Sequence, residues 1–214
     1  MSFIYEFFRW FGLITGYPIY KICFKTKIYY EDKKIQRRRV KGGALIISNH
    51  YSVFDFVYNI FLFPFRKLFV VFANFGPGIC FGMKFFGGIP VNRDSKRMEF
   101  VSEVVKRLKK GKIVQIYPES RISKDGKMLP FKTSYVYIAL EAGVPIIPVI
   151  LDGNYGFFKR SHTILGTPID PASYCEDPKR PTHNEINLIN NEIQEKCHIM
   201  YADLNARVQN SKKK

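Results

Sequence analysis

The sequence predicts an α/β fold, a mixed, largely parallel sheet flanked by helices, with an N-terminal apolar interfacial helical segment. Two patterns point to it. Short apolar runs of strand length alternate with longer amphipathic stretches, as strands joined by crossover helices do. The chain is 214 residues long with no visible internal repeat, which suits one domain with a sizeable core.

The first 30 residues are aromatic and apolar. From Phe3 to Ile14 only Glu6 and Arg9 are charged, and the longest uncharged run, Trp10–Tyr20, has 11 residues and contains Gly12, Gly16 and Pro18. A spanning helix needs about 20 apolar residues. Residues 1–30 are therefore expected to lie in a membrane interface, aromatics inward and Lys21, Lys25 and Lys27 near headgroups. The alternative is that these aromatics cap the domain core. Glu31–Lys41 carries six basic residues; it is a solvated face, or it meets lipid phosphates at about 1 kcal/mol per cation.

Ala44–Ser48 reads as a buried strand, followed by Asn49, His50 and a helix from Val53 to Phe61. A strand at Lys67–Ala73 leads into a glycine-rich aromatic stretch, and a short strand at Ile89–Asn92 ends at Arg93 and Asp94. Residues 95–110 form an amphipathic helix, with Val101, Val104, Val105 and Leu108 on one face and Glu103 and Arg107 spaced as a helical pair. Gly111 stops it. Lys112–Tyr117 is the next strand, and a helix from Thr133 to Ala142 is capped by Gly143. Val144–Leu151 reads as a strand broken by Pro145 and Pro148, and His162–Leu165 as a further strand. The last helix, Asn184–Ala206, carries Ile186, Ile189, Ile193, Cys197, Met200 and Leu204 in a stripe, with Thr182 and Glu185 at capping-box spacing. The plan is a membrane-interfacial segment (1–30), one domain (31–208) and a disordered basic tail (209–214).

A net charge of +16 favours anionic partners: nucleic acid, an acidic lipid surface or phosphorylated substrates. Twenty Phe and 13 Tyr keep a basic module that stacks single strands in play. The rings, however, gather in apolar stretches such as Phe54–Phe65 with few cations between them, so no nucleic acid is expected. Cys23, Cys80, Cys175 and Cys197 are scattered, which suits reduced thiols of a cytosolic protein better than disulfides or a zinc site. No metal-ligand constellation is visible, and without an Asn-x-Ser/Thr sequon or a cleavage site a secreted fate is not expected.

Three polar clusters fall at strand ends, where α/β folds gather functional residues: Asn49-His50 through Asp55, Asn92-Arg93, and Glu119 through Arg121. A histidine can take a proton from an attacking hydroxyl if its other nitrogen is held. His50 and Asp55 stand about 140° apart on an ideal helix, so they meet only if His50 precedes the helix and Asp55 lies in its first turn, with Ser52 as N-cap. The same spacing makes Ser52 and Asp55 a capping box. Arg93 and Arg121 fit either phosphate binding or surface ion pairs with Asp94 or Glu119.

Asn49-His50-x-x-x-x-Asp55 resembles the His-x-x-x-x-Asp motif of the glycerophospholipid acyltransferase superfamily, and within it the 1-acylglycerol-3-phosphate (lysophosphatidate) acyltransferases. Three more blocks follow in that family's order over residues 40–170: Gly88-Ile-Pro-Val-Asn92-Arg93, Tyr117-Pro-Glu119-Ser120-Arg121 and Val144-Pro-Ile-Ile-Pro148-Val149. The third departs from the usual aromatic-Pro-Glu-Gly-Thr-Arg in having Ser120 alone between Glu119 and its arginine. The resemblance implies His50 as general base and Asp55 as its orienting partner. It also implies Asn49, Arg93, Glu119 and Arg121 as substrate-binding residues. Acyl-CoA or acyl-carrier protein would be co-substrate, with no further cofactor and no metal. The acceptor would be a lysophospholipid, and the enzyme would be peripheral, on an anionic surface at the cytoplasmic face of the cell membrane. Transfer would be direct, with backbone N–H groups near the helix after His50 as candidate oxyanion donors.

Overall fold

The computed structural model describes residues 2–34, 40–52, 54–63, 66–73, 87–91, 97–123, 125–156 and 159–212. In chain order the elements are α1 (Ser2–Phe24), β1 (Lys27–Tyr30), β2 (Ala44–Ser48), α2 (Asp55–Leu62), β3 (Leu68–Ala73), β4 (Gly88–Val91), α3 (Arg97–Lys109), β5 (Ile113–Ile116), α4 (Ser134–Ala142), β6 (Ile146–Leu151), β7 (His162–Leu165), a 3-10 turn (Pro171–Tyr174) and α5 (His183–Lys212). Among the described residues seven strands form one sheet in the order β1-β7-β6-β2-β5-β3-β4. Every neighbouring pair is parallel except β6 with β7. The expected mixed, largely parallel sheet is what forms.

The central strands are apolar except for Ser48 and Gln115, because both faces are covered. Successive residues point to opposite faces. Leu45 and Ile47 pack with α3, α4 and α5, through Val104, Leu108, Tyr135, Ile138, Ile193 and Leu204. Ala44 and Ile46 pack with α1 and α2 through Tyr20, Phe24 and Tyr58. The α5 stripe is buried from Ile189 to Leu204, and its N-terminus closes as the capping box predicts. Glu185 Oε2 accepts the Thr182 N–H at 2.7 Å and Thr182 Oγ1 accepts the Glu185 N–H at 3.2 Å.

Three expectations change. Lys27–Tyr30, grouped with the leader, is an edge strand paired with β7, so the sheet begins before residue 31. The last helix continues to Lys212, so residues 209–212 of the expected disordered tail are helical. Finally, β6 runs unbroken through Pro148. The Pro148 carbonyl accepts the Gly166 N–H at 2.8 Å, so the missing proline N–H faces past Leu165, where β7 ends. A Cβ on Gly166 would come 2.6 Å from Pro148 Cγ, so only glycine lets the chain pass that ring.

β2, β5 and β6 are adjacent and parallel, so the segments after Ser48, Ile116 and Leu151 emerge side by side on one edge. The functional clusters gather there.

Candidate active site

His50 leaves the end of β2 and precedes α2, as the spacing requires. Its Nδ1 lies 2.9 Å from Asp55 Oδ2. The His50 side chain keeps 20% of its surface exposed, while Asp55 has none. Asp55 is the first residue of α2, with Phe54 at the cap, rather than the third helical position. Its Oδ2 also accepts the N–H of Tyr51 at 2.7 Å and of Ser52 at 2.9 Å. Orienting the imidazole and satisfying the helix start thus fall to one carboxylate, not to rival readings of it. Ser52 supplies only half of a capping box, because its Oγ accepts from Phe54 N at 3.2 Å and not from Asp55 N. The other carboxylate oxygen, Oδ1, accepts the hydroxyl of Tyr155.

The His50 ring stacks on Tyr117, with centroids 4.0 Å apart and planes 18° apart. Its backbone is tied on both sides to the loop after β5: His50 N donates to Glu119 Oε1 at 3.0 Å, and His50 O accepts from Ser123 N at 2.8 Å. Among the described residues Nε2 makes no hydrogen bond, which leaves it for an incoming hydroxyl. Burial, and then the charge of Asp55, hold the phenols of Tyr155 and Tyr117 above their ordinary range, so both stay protonated and Tyr155 remains a donor.

The expected substrate-binding residues divide. Asn49 is wholly buried. Its amide donates to Leu151 O and its carbonyl accepts from Leu151 N, both at 2.8 Å, so it locks the end of β6 beside His50. Glu119 is also buried, with Oε1 on His50 N and Oε2 on Leu129 N at 2.9 Å. It ties the loop after β5 to the backbone of the residue that carries the imidazole. Burial raises its carboxyl, against the pull of the Leu129 and His50 N–H groups. Arg121 is exposed on that same tethered loop and makes no ion pair among the described residues, with Glu119 or any other. Arg93 lies outside the described residues, although β4, the strand before it, ends on the same sheet edge.

The expected oxyanion donors after His50 are already committed. The N–H groups of Tyr51 and Ser52 go to Asp55, that of Phe54 to Ser52 Oγ and that of Asp55 to Ser52 O. Val53 lies outside the described residues.

Ser120 has φ +58°, a left-handed conformation that costs a non-glycine residue about 1–2 kcal/mol. Glycine holds this place in the block that it resembles. Ser120→Gly is expected to raise stability by up to about 1 kcal/mol, the strain relieved less the larger unfolded-state entropy of glycine. A rise in the midpoint of denaturant unfolding at constant slope checks it.

Sequence reasoning missed Tyr155 and assigned no site role to Tyr117, although Tyr117 was in view in the third block. The available signal for Tyr155 was its place just after the end of β6, on the edge that His50 shares.

An imidazole held by a buried carboxylate is an arrangement that can draw a proton from a hydroxyl. Comparison with known proteins narrows the class. The model of the acyltransferase family matches residues 27–152. The 1-acyl-sn-glycerol-3-phosphate acyltransferase of Haemophilus influenzae is 27% identical over 80% of this chain and 73% of its own length. The protein of that name in Escherichia coli is 32% identical over 65% of this chain and 62% of its own. The human beta form is 26% identical over 68% of this chain and 54% of its own. The crystal structure of the 1-acyl-sn-glycerophosphate (LPA) acyltransferase of Thermotoga maritima shares the fold, with a TM-score of 0.56 and 18% identity over 85% of this chain and 72% of that one. The chain belongs to the acyltransferase family, as an O-acyltransferase.

Proposed function

We propose that this enzyme moves a fatty acyl group from acyl-CoA or acyl-carrier protein to the sn-2 hydroxyl of 1-acylglycerol 3-phosphate, giving phosphatidic acid. The observation that carries the reading is the His50–Asp55 pair at the open sheet edge, in a chain whose relatives are named for that acceptor. Nε2 of His50 takes the hydroxyl proton as the oxygen attacks the thioester carbonyl. The C–O bond forms, the C–S bond breaks, and the imidazolium returns the proton to the departing thiolate. Asp55 stabilises the imidazolium meanwhile. Arg121 and Arg93 hold the acceptor phosphate; the exposure of Arg121 and its tethered loop support that role for it, since a planar guanidinium pairs with phosphate oxygens.

The reaction takes place on an anionic membrane at its cytoplasmic face. No described helix is long and apolar enough to cross a bilayer. One side of α1 does cap the core, through Leu13, Tyr20 and Phe24, but Phe3, Phe7, Phe11, Ile14 and Ile22 are exposed. An apolar helix face beside exposed Lys21 and Lys25 suits the interface of acidic lipids. The free thiols of Cys23, Cys175 and Cys197 suit a reducing compartment.

An acceptor panel tests the proposal. Purified protein on anionic vesicles receives one labelled acyl thioester, as the coenzyme A or carrier-protein form, with lysophosphatidate, neutral and zwitterionic lysolipids, or glycerol 3-phosphate. Labelled phosphatidic acid as the main product is expected. Preferred transfer to glycerol 3-phosphate or to a lysolipid without a terminal phosphate would overturn the acceptor assignment, and no transfer to any would overturn the reaction.

A further inference from the structure

We infer that Tyr155 is a positioning residue for acyl transfer: its hydroxyl fixes the carboxylate of Asp55 and keeps the His50–Asp55 pair ready to accept a proton. The inference rests on reading that pair as the general base. The three donors to Oδ2 all come from one turn, residues 50–52, whereas Oδ1 is held from across the sheet edge by a residue 100 positions away. Tyr155 is itself held firmly. Phe24 meets its ring edge-on at 5.4 Å and Tyr58 lies 5.9 Å away. The loop that carries it is pinned by Asn154 N on Asp152 Oδ1 at 3.0 Å and by Ser161 Oγ on Asn154 O at 2.6 Å. Gly153, at φ +67°, seals that loop against His50's neighbour, for a Cβ there would come 2.7 Å from the Tyr51 ring.

A phenol aimed at a carboxylate is a charge-assisted donor. It stabilises the proton-free pair most, because a proton on either member reduces the negative charge that the hydroxyl faces. Among the described residues the other titratable groups around the pair are Tyr51 with Tyr201 beside it, Glu119 and Tyr117 after β5, Tyr58 on α2, and Asp152, whose charge acts on Tyr58. None of them donates to Oδ1. Without the Tyr155 hydroxyl the pair binds its proton more tightly.

Tyr155→Phe keeps the ring and removes the donor. In the full chain on vesicles, with acyl-CoA and lysophosphatidate, kcat is expected to fall about tenfold with both KM values nearly unchanged. The acid limb of the pH–rate profile should move up by about half to one unit. Histidine-labelled NMR, with the His50 signal assigned by its loss in His50→Ala, should show the same upward move without turnover. Should the phenylalanine variant fold poorly, fluorotyrosine incorporated at 155, a near-isosteric and stronger donor, must move the limb down. Unchanged kcat, or a lower kcat with limb and titration both unmoved, reduces Tyr155 to packing and overturns the inference. Full turnover in His50→Ala is a separate outcome that removes the base itself, and with it the reading underneath.

Discussion

His50→Ala is expected to lower kcat for acyl transfer by about 10²–10⁴-fold, the usual contribution of a general base, while the protein stays folded. The structure shows why chemistry and folding separate here. The imidazole is partly exposed, and the bonds that hold this residue to Glu119 and Ser123 are made by its backbone, which alanine keeps. Asp55 loses one donor but retains Tyr51 N, Ser52 N and the Tyr155 hydroxyl, so no bare charge is left in the interior. The stack on Tyr117 and the Nδ1 contact with Asp55 are all that is given up. Steady-state kinetics beside thermal unfolding makes the check, and near-normal turnover in a folded variant would refute the role.

Asp55 should behave differently, and its two substitutions should diverge. Asp55→Asn keeps an oxygen for the Tyr51 and Ser52 N–H groups, and the Tyr155 hydroxyl can turn to accept from the new amide. The fold should therefore survive with a loss of about 1–2 kcal/mol. The imidazolium, however, loses its counter-charge, and turnover should fall by about 10²–10⁴-fold. Asp55→Ala removes the acceptor altogether and strands two N–H groups and a phenol, each costing about 1–3 kcal/mol when buried and unpaired. It should lose about 3 kcal/mol or more of stability as well as activity. Denaturant melts and kinetics on both variants provide the test. Near-normal turnover in a folded Asp55→Asn would show that Asp55 serves only as a cap, and equal destabilisation by the two would refute the bonding pattern described for it.

Much of this arrangement was legible before any coordinates. The apolar runs marked β2, β3 and β5 because a strand covered on both faces is mostly apolar. Helical geometry allowed the His50–Asp55 contact on condition that His50 preceded the helix, and the motif's resemblance singled the pair out; the helix starts at Asp55 behind Phe54 rather than behind Ser52. The unread parts are those set by long-range contact. Asn49 and Glu119 look like site residues in sequence, being polar and next to the base. Their partners, Leu151 and Leu129, are backbone groups that no local pattern announces. Tyr155 reaches Asp55 only because β6 lies against β2. Pro148 argued for a broken strand, and only the end of β7 at Leu165 makes a proline tolerable there. In the tail, polar residues hid a helix that carries on past its buried stripe.

Tyr20 and Phe24, near the end of α1, lean on Tyr58 and Phe61, and Phe24 meets the ring of Tyr155. The segment that suits lipid is therefore also the floor beneath the catalytic carboxylate. Removing the residues ahead of β1 would wet that floor, so the proposed lipid contact and the setting of the His50–Asp55 pair depend on one helix.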